Sequence, residues 1–100
     1  MAKFETITKE ISQGMAELRK LIPGVMGGFS STAEAANQPA VLDKKTKELI
    51  ALGIAVADRC DGCIGFHTKA LVGLGATRQE IAETLGVAIY MGGGPSVMYA

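Results

Sequence analysis

The chain is short, electrically neutral and rich in apolar residues. Its 100 residues suffice for one domain with a modest core. Ten basic residues balance ten acidic ones, which argues against nucleic acid as a partner, because phosphate binding depends on clustered Lys and Arg. No apolar run is long enough for a signal peptide or a membrane span. We therefore expect a cytoplasmic protein that binds neither nucleic acid nor a membrane.

Residues 4–21 follow the period of an amphipathic helix. Its apolar positions recur at steps of three and four residues: Phe4, Ile7, Ile11, Met15, Leu18 and Ile22. Pro23 is expected to end this helix, and the Gly27-Gly28 pair predicts a loose connection. A short helix over residues 29–37 is expected to follow.

The most apolar helix is predicted to begin after Asp43, whose side chain fits an N-cap. Apolar residues cover most of its circumference, so we expect it to be the central and most buried helix: Leu49, Ile50, Leu52, Ile54, Val56 and Ala57. Glu48 lies in its second turn, an unusual place for a carboxylate. The pattern leaves open whether Glu48 serves a site, faces water, or pairs with Lys44 or Lys45.

The second half of the chain is predicted to hold two more long helices. A tight bend at residues 58–62 leads into a helix over residues 61–74, which Gly75 ends at its C′ position. Thr77 and Glu80 are spaced as a capping box at the start of the next helix.

Glycine and proline interrupt the chain again at residues 92–95, ahead of an apolar tail at residues 97–99 that we expect to dock on a neighbouring surface. No stretch alternates between apolar and polar residues as a half-buried strand does. The sequence therefore predicts an all-α fold, a helical bundle in one domain over residues 1–100. Within it, residues 1–38 hold the N-terminal helices and a loop, and residues 42–100 hold the core.

Both cysteines and the only histidine of the chain lie within eight positions. Cys60 and Cys63 form a CDGC pair, and His67 follows four residues later. At about 100° per residue, the three side chains fall within an arc of about 60° on one helical face. Cys60 lies at the start of that helix, where free N–H groups favour a thiolate, and Cys63 neighbours His67. A thiol pair, an imidazole and the carboxylate of Glu48 are the groups that thiol redox chemistry needs.

Other interpretations of these residues stay open. Cysteine is often a small buried hydrophobe, and a single histidine is often structural. Zinc could bind Cys60, Cys63 and His67, with Glu48 as a fourth ligand, although structural zinc sites usually draw further Cys or His ligands that this chain lacks. Haem attachment needs a histidine directly after the second cysteine, where Ile64 stands, and a thioredoxin motif belongs to a βαβ context.

The chain resembles the carboxymuconolactone decarboxylase family, and within it the AhpD-like alkylhydroperoxidase branch. The similarity rests on the spacing of four polar residues, on the turn before the last long helix and on the ending MGGGPSVMYA. The four residues, separated by eleven, two and three positions, are Glu48, Cys60, Cys63 and His67. The similarity covers residues 42–100 well and the first helix more loosely.

The resemblance implies an all-α bundle that assembles into a homo-oligomer, commonly a trimer or hexamer, with the site near subunit contacts. It implies a thiol peroxidase or disulfide reductase with no bound cofactor, whose reactive group is the Cys60–Cys63 dithiol. Glu48 and His67 would relay a proton from the dithiol, one thiolate would attack a hydroperoxide substrate, and the other thiol would resolve the sulfenic acid as a disulfide. In the AhpD-like branch the dithiol reductant is a lipoylated protein. By position, Cys60 would contact the reductant and Cys63 would couple to His67.

Two features depart from that branch. The branch enzyme has two related halves and usually a histidine between its cysteines, whereas this chain is one unit with an Asp61-Gly62 spacer. The negative charge of Asp61 should oppose thiolate formation. Two alternatives are a decarboxylase-like lactone enzyme, in which Glu48 and His67 transfer protons, and a non-catalytic oligomeric module that binds metal or senses redox state.

Overall fold

The computed structural model describes residues 2–100 as a succession of α-helices. In chain order they are α1 (Ala2–Leu21), α2 (Pro23–Asn37), α3 (Lys44–Ala57), α4 (Asp61–Gly73), α5 (Arg78–Gly92) and α6 (Gly94–Tyr99). No strand occurs in this described part of the chain, which confirms the prediction of an all-α fold. None of these helices is both long and apolar enough to cross a membrane.

The five long helices pack side by side in an order that differs from their order along the chain. α2 lies against α1, α1 against α4, α4 against α3, and α3 against α5, while α6 contacts both α3 and α5. The buried core joins α3, α4 and α5 through Leu52, Val56, Leu71 and Ala88. The prediction that α3 is central is confirmed on this face only, because Ile50 and Ile54 on its other face are about half exposed.

The structure of α2 contradicts one prediction made from the sequence. The helix begins at Pro23 and runs through Gly27 and Gly28 without a break, so the predicted loose connection is wrong. Proline suits the first helical position, where its missing N–H has no helical partner to lose. At the other end, Lys47 Nζ donates to two backbone carbonyl oxygens, those of Ala36 at 2.9 Å and Gln38 at 2.6 Å. α2 is thus fixed at both ends, yet none of its residues is buried.

The predicted caps of the later helices are confirmed. Asp43 accepts a hydrogen bond from the Thr46 N–H at 2.8 Å, which lowers the pKa of its carboxyl. Gly75, just beyond α4, has a φ of 76°, a value that suits glycine at C′. Thr77 and Glu80 form the reciprocal capping box at the start of α5. These hydrogen bonds satisfy backbone groups that the helix ends would leave unpaired.

The chain turns sharply after α5 and ends in a short helix. Gly93 has a φ of 74°, which allows the break that the glycine run predicted. The predicted apolar tail is helical, and it packs on α3 and α5 of its own chain, with Ser96 buried and Met98 largely exposed.

Two glycines of α4 allow a matched stability test. A Cβ added at Gly65 would lie 2.6 Å from the Cγ2 atom of Thr8 on α1, whereas nothing lies within 4 Å of one added at Gly73. Both Gly→Ala changes gain helix propensity, but only the first overpacks the α1–α4 contact. We expect Gly65→Ala to be less stable than Gly73→Ala by about 1–3 kcal/mol in urea unfolding. Equal stabilities would contradict this account of the contact.

Candidate functional site

The bend between α3 and α4 fixes the position of the first cysteine. Arg59 takes a left-handed conformation, with a φ of 56°, which is uncommon for a residue with a side chain. The N–H of Cys60 then donates to the carbonyl oxygen of Ala55 at 3.0 Å and closes the end of α3. Cys60 is also the N-cap of α4, where its Sγ accepts from the N–H of Cys63 at 3.2 Å. Cys60 is therefore hydrogen-bonded both to the last turn of α3 and to the first turn of α4.

The two cysteines are joined in a disulfide in the first turn of α4. Cys60 and Cys63 have Cα atoms 5.2 Å apart, within the usual range for a bridge. Both residues are partly exposed, so another molecule can approach the bond. The disulfide is the oxidised form of the dithiol that the spacing predicted, and it lies at the positive end of the helix dipole.

Glu48 and His67 form the second pair of the site. His67 Nδ1 lies 2.6 Å from Glu48 Oε2, and the Glu48 side chain is only 8% exposed. A carboxylate this deeply buried needs such a partner. Lys45 Nζ instead lies 2.7 Å from Glu80 Oε2, and this contact raises the pKa of Lys45 and lowers that of Glu80. Glu48 therefore does not face water, and its ionic partner is His67 rather than Lys44 or Lys45.

The orientation of the His67 ring suits proton transfer. When Nδ1 donates its proton to the Glu48 carboxylate, the neutral ring keeps Nε2 as a free acceptor. His67 is four residues after Cys63 on α4, so the two side chains share a helical face. A carboxylate behind an imidazole, with a cysteine one turn earlier on the same helix, is an arrangement that can take a proton from a thiol.

The structure also bears on metal binding. Within residues 2–100, no three His, Cys, Asp or Glu side chains lie close enough together to hold a metal ion. In the disulfide, Cys60 and Cys63 also lack the thiolates that zinc requires. The four-ligand zinc site considered from the sequence is therefore not formed in this state.

The sequence did not indicate a role for the opposite side of α4. Gly62 and Gly65 let Ile11 and Thr8 of α1 approach the helix backbone closely. A cavity of about 840 Å³ also opens on that side, and its lining includes Gly65 but none of the four candidate site residues. The signals of this contact in the sequence were the two glycines three positions apart and the apolar stripe of α1 that includes Ile11.

Comparisons with known proteins agree with the fold and with the family resemblance. The sequence profile of the carboxymuconolactone decarboxylase family matches residues 23–100. The chain is 41% identical to an uncharacterised protein of Cupriavidus necator, over 97% of this chain and 86% of that protein.

Two solved structures have the same architecture. The first is the apo form of a carboxymuconolactone decarboxylase family protein from Legionella pneumophila, with a TM-score of 0.95 and 60% identity over 99% of this chain and 88% of that one. The second is a protein of that family from Thermotoga maritima, with a suggested involvement in antioxidative response. Its TM-score is 0.77 and its identity 31%, over 90% of this chain and 80% of that one.

Proposed function

The chain belongs to the carboxymuconolactone decarboxylase family, and we propose that it acts as a thiol-dependent peroxidase and disulfide reductase. The observation that carries the proposal is the disulfide at the start of α4, on the same helix as His67, whose ring is hydrogen-bonded to the buried Glu48. The antioxidative role suggested for the Thermotoga maritima relative supports the same kind of chemistry.

The oxidative half-reaction starts from the dithiol. His67, held by Glu48, takes the proton of Cys63, directly or through a water molecule. The thiolate attacks the terminal oxygen of an organic hydroperoxide, the O–O bond breaks, and the alkoxide leaves as the alcohol after receiving that proton. Cys63 becomes a sulfenic acid. The thiol of Cys60 then attacks the sulfur of the Cys63 sulfenic acid, water leaves, and the disulfide forms. Two electrons have then passed from the dithiol to the peroxide.

The reductive half-reaction needs an external dithiol, such as a dihydrolipoyl group carried by a protein. One thiolate of the reductant attacks Cys60 and forms a mixed disulfide, which releases Cys63 as a thiol after protonation through His67. The second thiol of the reductant then attacks the reductant's first sulfur in the mixed disulfide. This step closes a disulfide within the reductant and releases Cys60. The released Cys60 thiolate is stabilised by the N-terminal N–H groups of α4.

One equivalent of cumene hydroperoxide added to fully reduced protein tests the proposal. We expect intact mass to fall by two hydrogens, both free thiols to disappear and one equivalent of alcohol to form. Dihydrolipoamide should reverse the change, and an excess of both reagents should give many turnovers. Two thiols left untouched would refute the proposal, and one oxidation per chain that dihydrolipoamide reverses without continuing turnover would favour a redox-sensing module instead.

A further inference from the structure

The turn that leads into Cys60 has an arginine where glycine is the usual residue. Arg59 directly follows Asp58, the C-cap of α3. Its φ of 56° makes it the one residue other than glycine with a positive φ among residues 2–100. In this left-handed conformation the Cβ atom crowds the following carbonyl oxygen, so most side chains avoid it. The backbone at this position is therefore strained for arginine.

The end of α4 forms the same turn with glycine at the corresponding position. The N–H groups of Gly75 and Ala76 donate to carbonyl oxygens in the last turn of α4, at 3.1 and 3.0 Å. The N–H groups of Arg59 and Cys60 donate in the same way to the last turn of α3, at the same two distances. Both ends are Schellman motifs, in which glycine is the usual C′ residue. The turn itself therefore does not require an arginine.

The side chain of Arg59 is not used in an ion pair of the chain. It is exposed, and the ion pairs formed among residues 2–100 do not include it, although Asp58 and Asp61 are close in sequence. Backbone strain of this kind is often retained at functional sites. The next residue is Cys60, whose sulfur the reductant attacks in the proposed mechanism. Arg59 is therefore in a position to contact the reductant.

The charges close to the disulfide explain why a cation would be useful there. Asp58 and Asp61 are both exposed, and Arg59 is the only cation among residues 58–63. The reductant attacks as a thiolate, so these two carboxylates oppose its approach. A guanidinium group offsets that repulsion, and it can bind a carboxylate through two parallel hydrogen bonds.

We propose that Arg59 binds a carboxylate carried by the dithiol reductant, and that the chain thereby selects an anionic dithiol over a neutral one. The inference rests on the proposed function, because it names the class of reductant for the same disulfide. Arg59 holds the carboxylate while one thiolate of the reductant attacks Cys60 and breaks the S–S bond, and Cys63 leaves and takes up a proton. The second thiol then closes a disulfide within the reductant and releases Cys60, which takes up the other proton. The reductant loses two electrons and two protons, and the chain gains them as two thiols.

Two reagents that differ in one charge test this selection. Dihydrolipoate ends in a carboxylate and dihydrolipoamide in a neutral amide, whereas their dithiol groups are the same. The rate constant for opening the disulfide is measured with each reagent at low salt, by acid quenching and thiol counting. We expect the ratio of the dihydrolipoate to the dihydrolipoamide rate constant to be about 3-fold lower in Arg59→Gln than in the unaltered chain. Arg59→Lys should keep most of the ratio, and about 1 M NaCl should remove the difference between the variants, because the Debye length is then only about 3 Å.

Arg78→Gln is the matched control for the loss of an exposed arginine. Arg78 is exposed at the start of α5, which follows the end of α4 that does not carry the disulfide. The 13 residues of α4 place its two ends about 20 Å apart. Arg78→Gln should therefore keep the ratio of the unaltered chain. If Arg59→Gln also keeps it, the proposal is overturned, since the arginine then acts on both reagents alike or on neither.

Thermal unfolding distinguishes recognition from a structural role. Arg59→Gly should unfold at a temperature no lower than that of the unaltered chain, because glycine adopts this φ without strain. Gly75→Arg should lower the unfolding temperature by about 4–8 °C. A Cβ at Gly75 would meet nothing within 4 Å, so that loss reports the backbone strain alone. A lower unfolding temperature for Arg59→Gly would show that the turn needs the arginine, and it would overturn the proposal.

The same variants separate this inference from the proposed function. Continued peroxide turnover together with an unchanged ratio in Arg59→Gln refutes the role of Arg59 alone. The expected fall in the ratio, together with no peroxide turnover by the unaltered chain, supports the role of Arg59 and refutes the peroxidase activity. A disulfide that neither reagent opens in the unaltered chain refutes both.

Discussion

Replacement of either Cys60 or Cys63 by serine is expected to lower peroxide turnover by at least about 10²-fold. The chain has two cysteines, so neither variant can close a disulfide within the chain. A variant that keeps the attacking thiol must wait for a dihydrolipoamide thiol to reduce its sulfenic acid from solution, which is slower than attack by a neighbouring thiol of the same chain, and one that has lost it lacks the nucleophile. The measurement is consumption of cumene hydroperoxide with excess dihydrolipoamide. Turnover at the original rate by either variant would refute the dithiol mechanism.

The two serine variants should differ within a single turnover. Cys60→Ser keeps Cys63 four residues before His67, so we expect it to take up one oxygen as a sulfenic acid that dimedone traps. Cys63→Ser keeps a thiol at the helix N-cap, but about two turns before His67, and its oxidation should be slower by about 10²-fold. The reverse ranking would assign the attack on the peroxide to Cys60.

Methionine oxidation needs its own control in these experiments. The chain has five methionines, and Met91 and Met98 are largely exposed. Oxidation of either adds the same mass as a sulfenic acid. The double variant Cys60→Ser/Cys63→Ser measures that background, and dimedone labels only the sulfenic acid. The double variant also tests the lactone alternative, because a reaction driven by Glu48 and His67 alone would survive in it.

The caps of the helices could be predicted from sequence because their partners are close along the chain. Asp43 bonds to a residue three positions on, and Thr77 and Glu80 are likewise three apart. The same local reasoning failed at Gly27 and Gly28. Their low helix propensity is outweighed by a proline at the first helical position and by the Lys47 cap, whose partner carbonyls lie 9 and 11 positions away.

The candidate site shows the same division between local and distant contacts. The spacing of Cys60, Cys63 and His67 within one helix was enough to predict a shared face. The partner of Glu48 is 19 positions away on another helix. This pairing depends on which face of α3 packs against α4. The apolar pattern of α3 likewise could not distinguish the core from an exposed face, since Leu52 and Ile54 are equally apolar but face opposite sides.

Replacement of Glu48 by glutamine is expected to slow disulfide formation by about 10²-fold while leaving the fold intact. The amide can still accept the hydrogen bond from His67 Nδ1, so the ring keeps its position. It no longer supplies the negative charge that stabilises the imidazolium formed when His67 takes the proton of a thiol. Because the chain has no tryptophan, the rate is best followed by acid quenching and thiol counting, over a range of pH.

Two further variants distinguish positioning from charge. Glu48→Leu removes both the hydrogen bond and the charge, and it should be slower than Glu48→Gln and less stable, since the His67 ring loses its buried partner. Glu10→Gln, an exposed carboxylate on α1, should match the unaltered chain in rate and stability. If Glu48→Gln formed the disulfide at the original rate at every pH, the carboxylate would be structural only. His67 would then act without the charge of Glu48, and the proton relay would reduce to the imidazole alone.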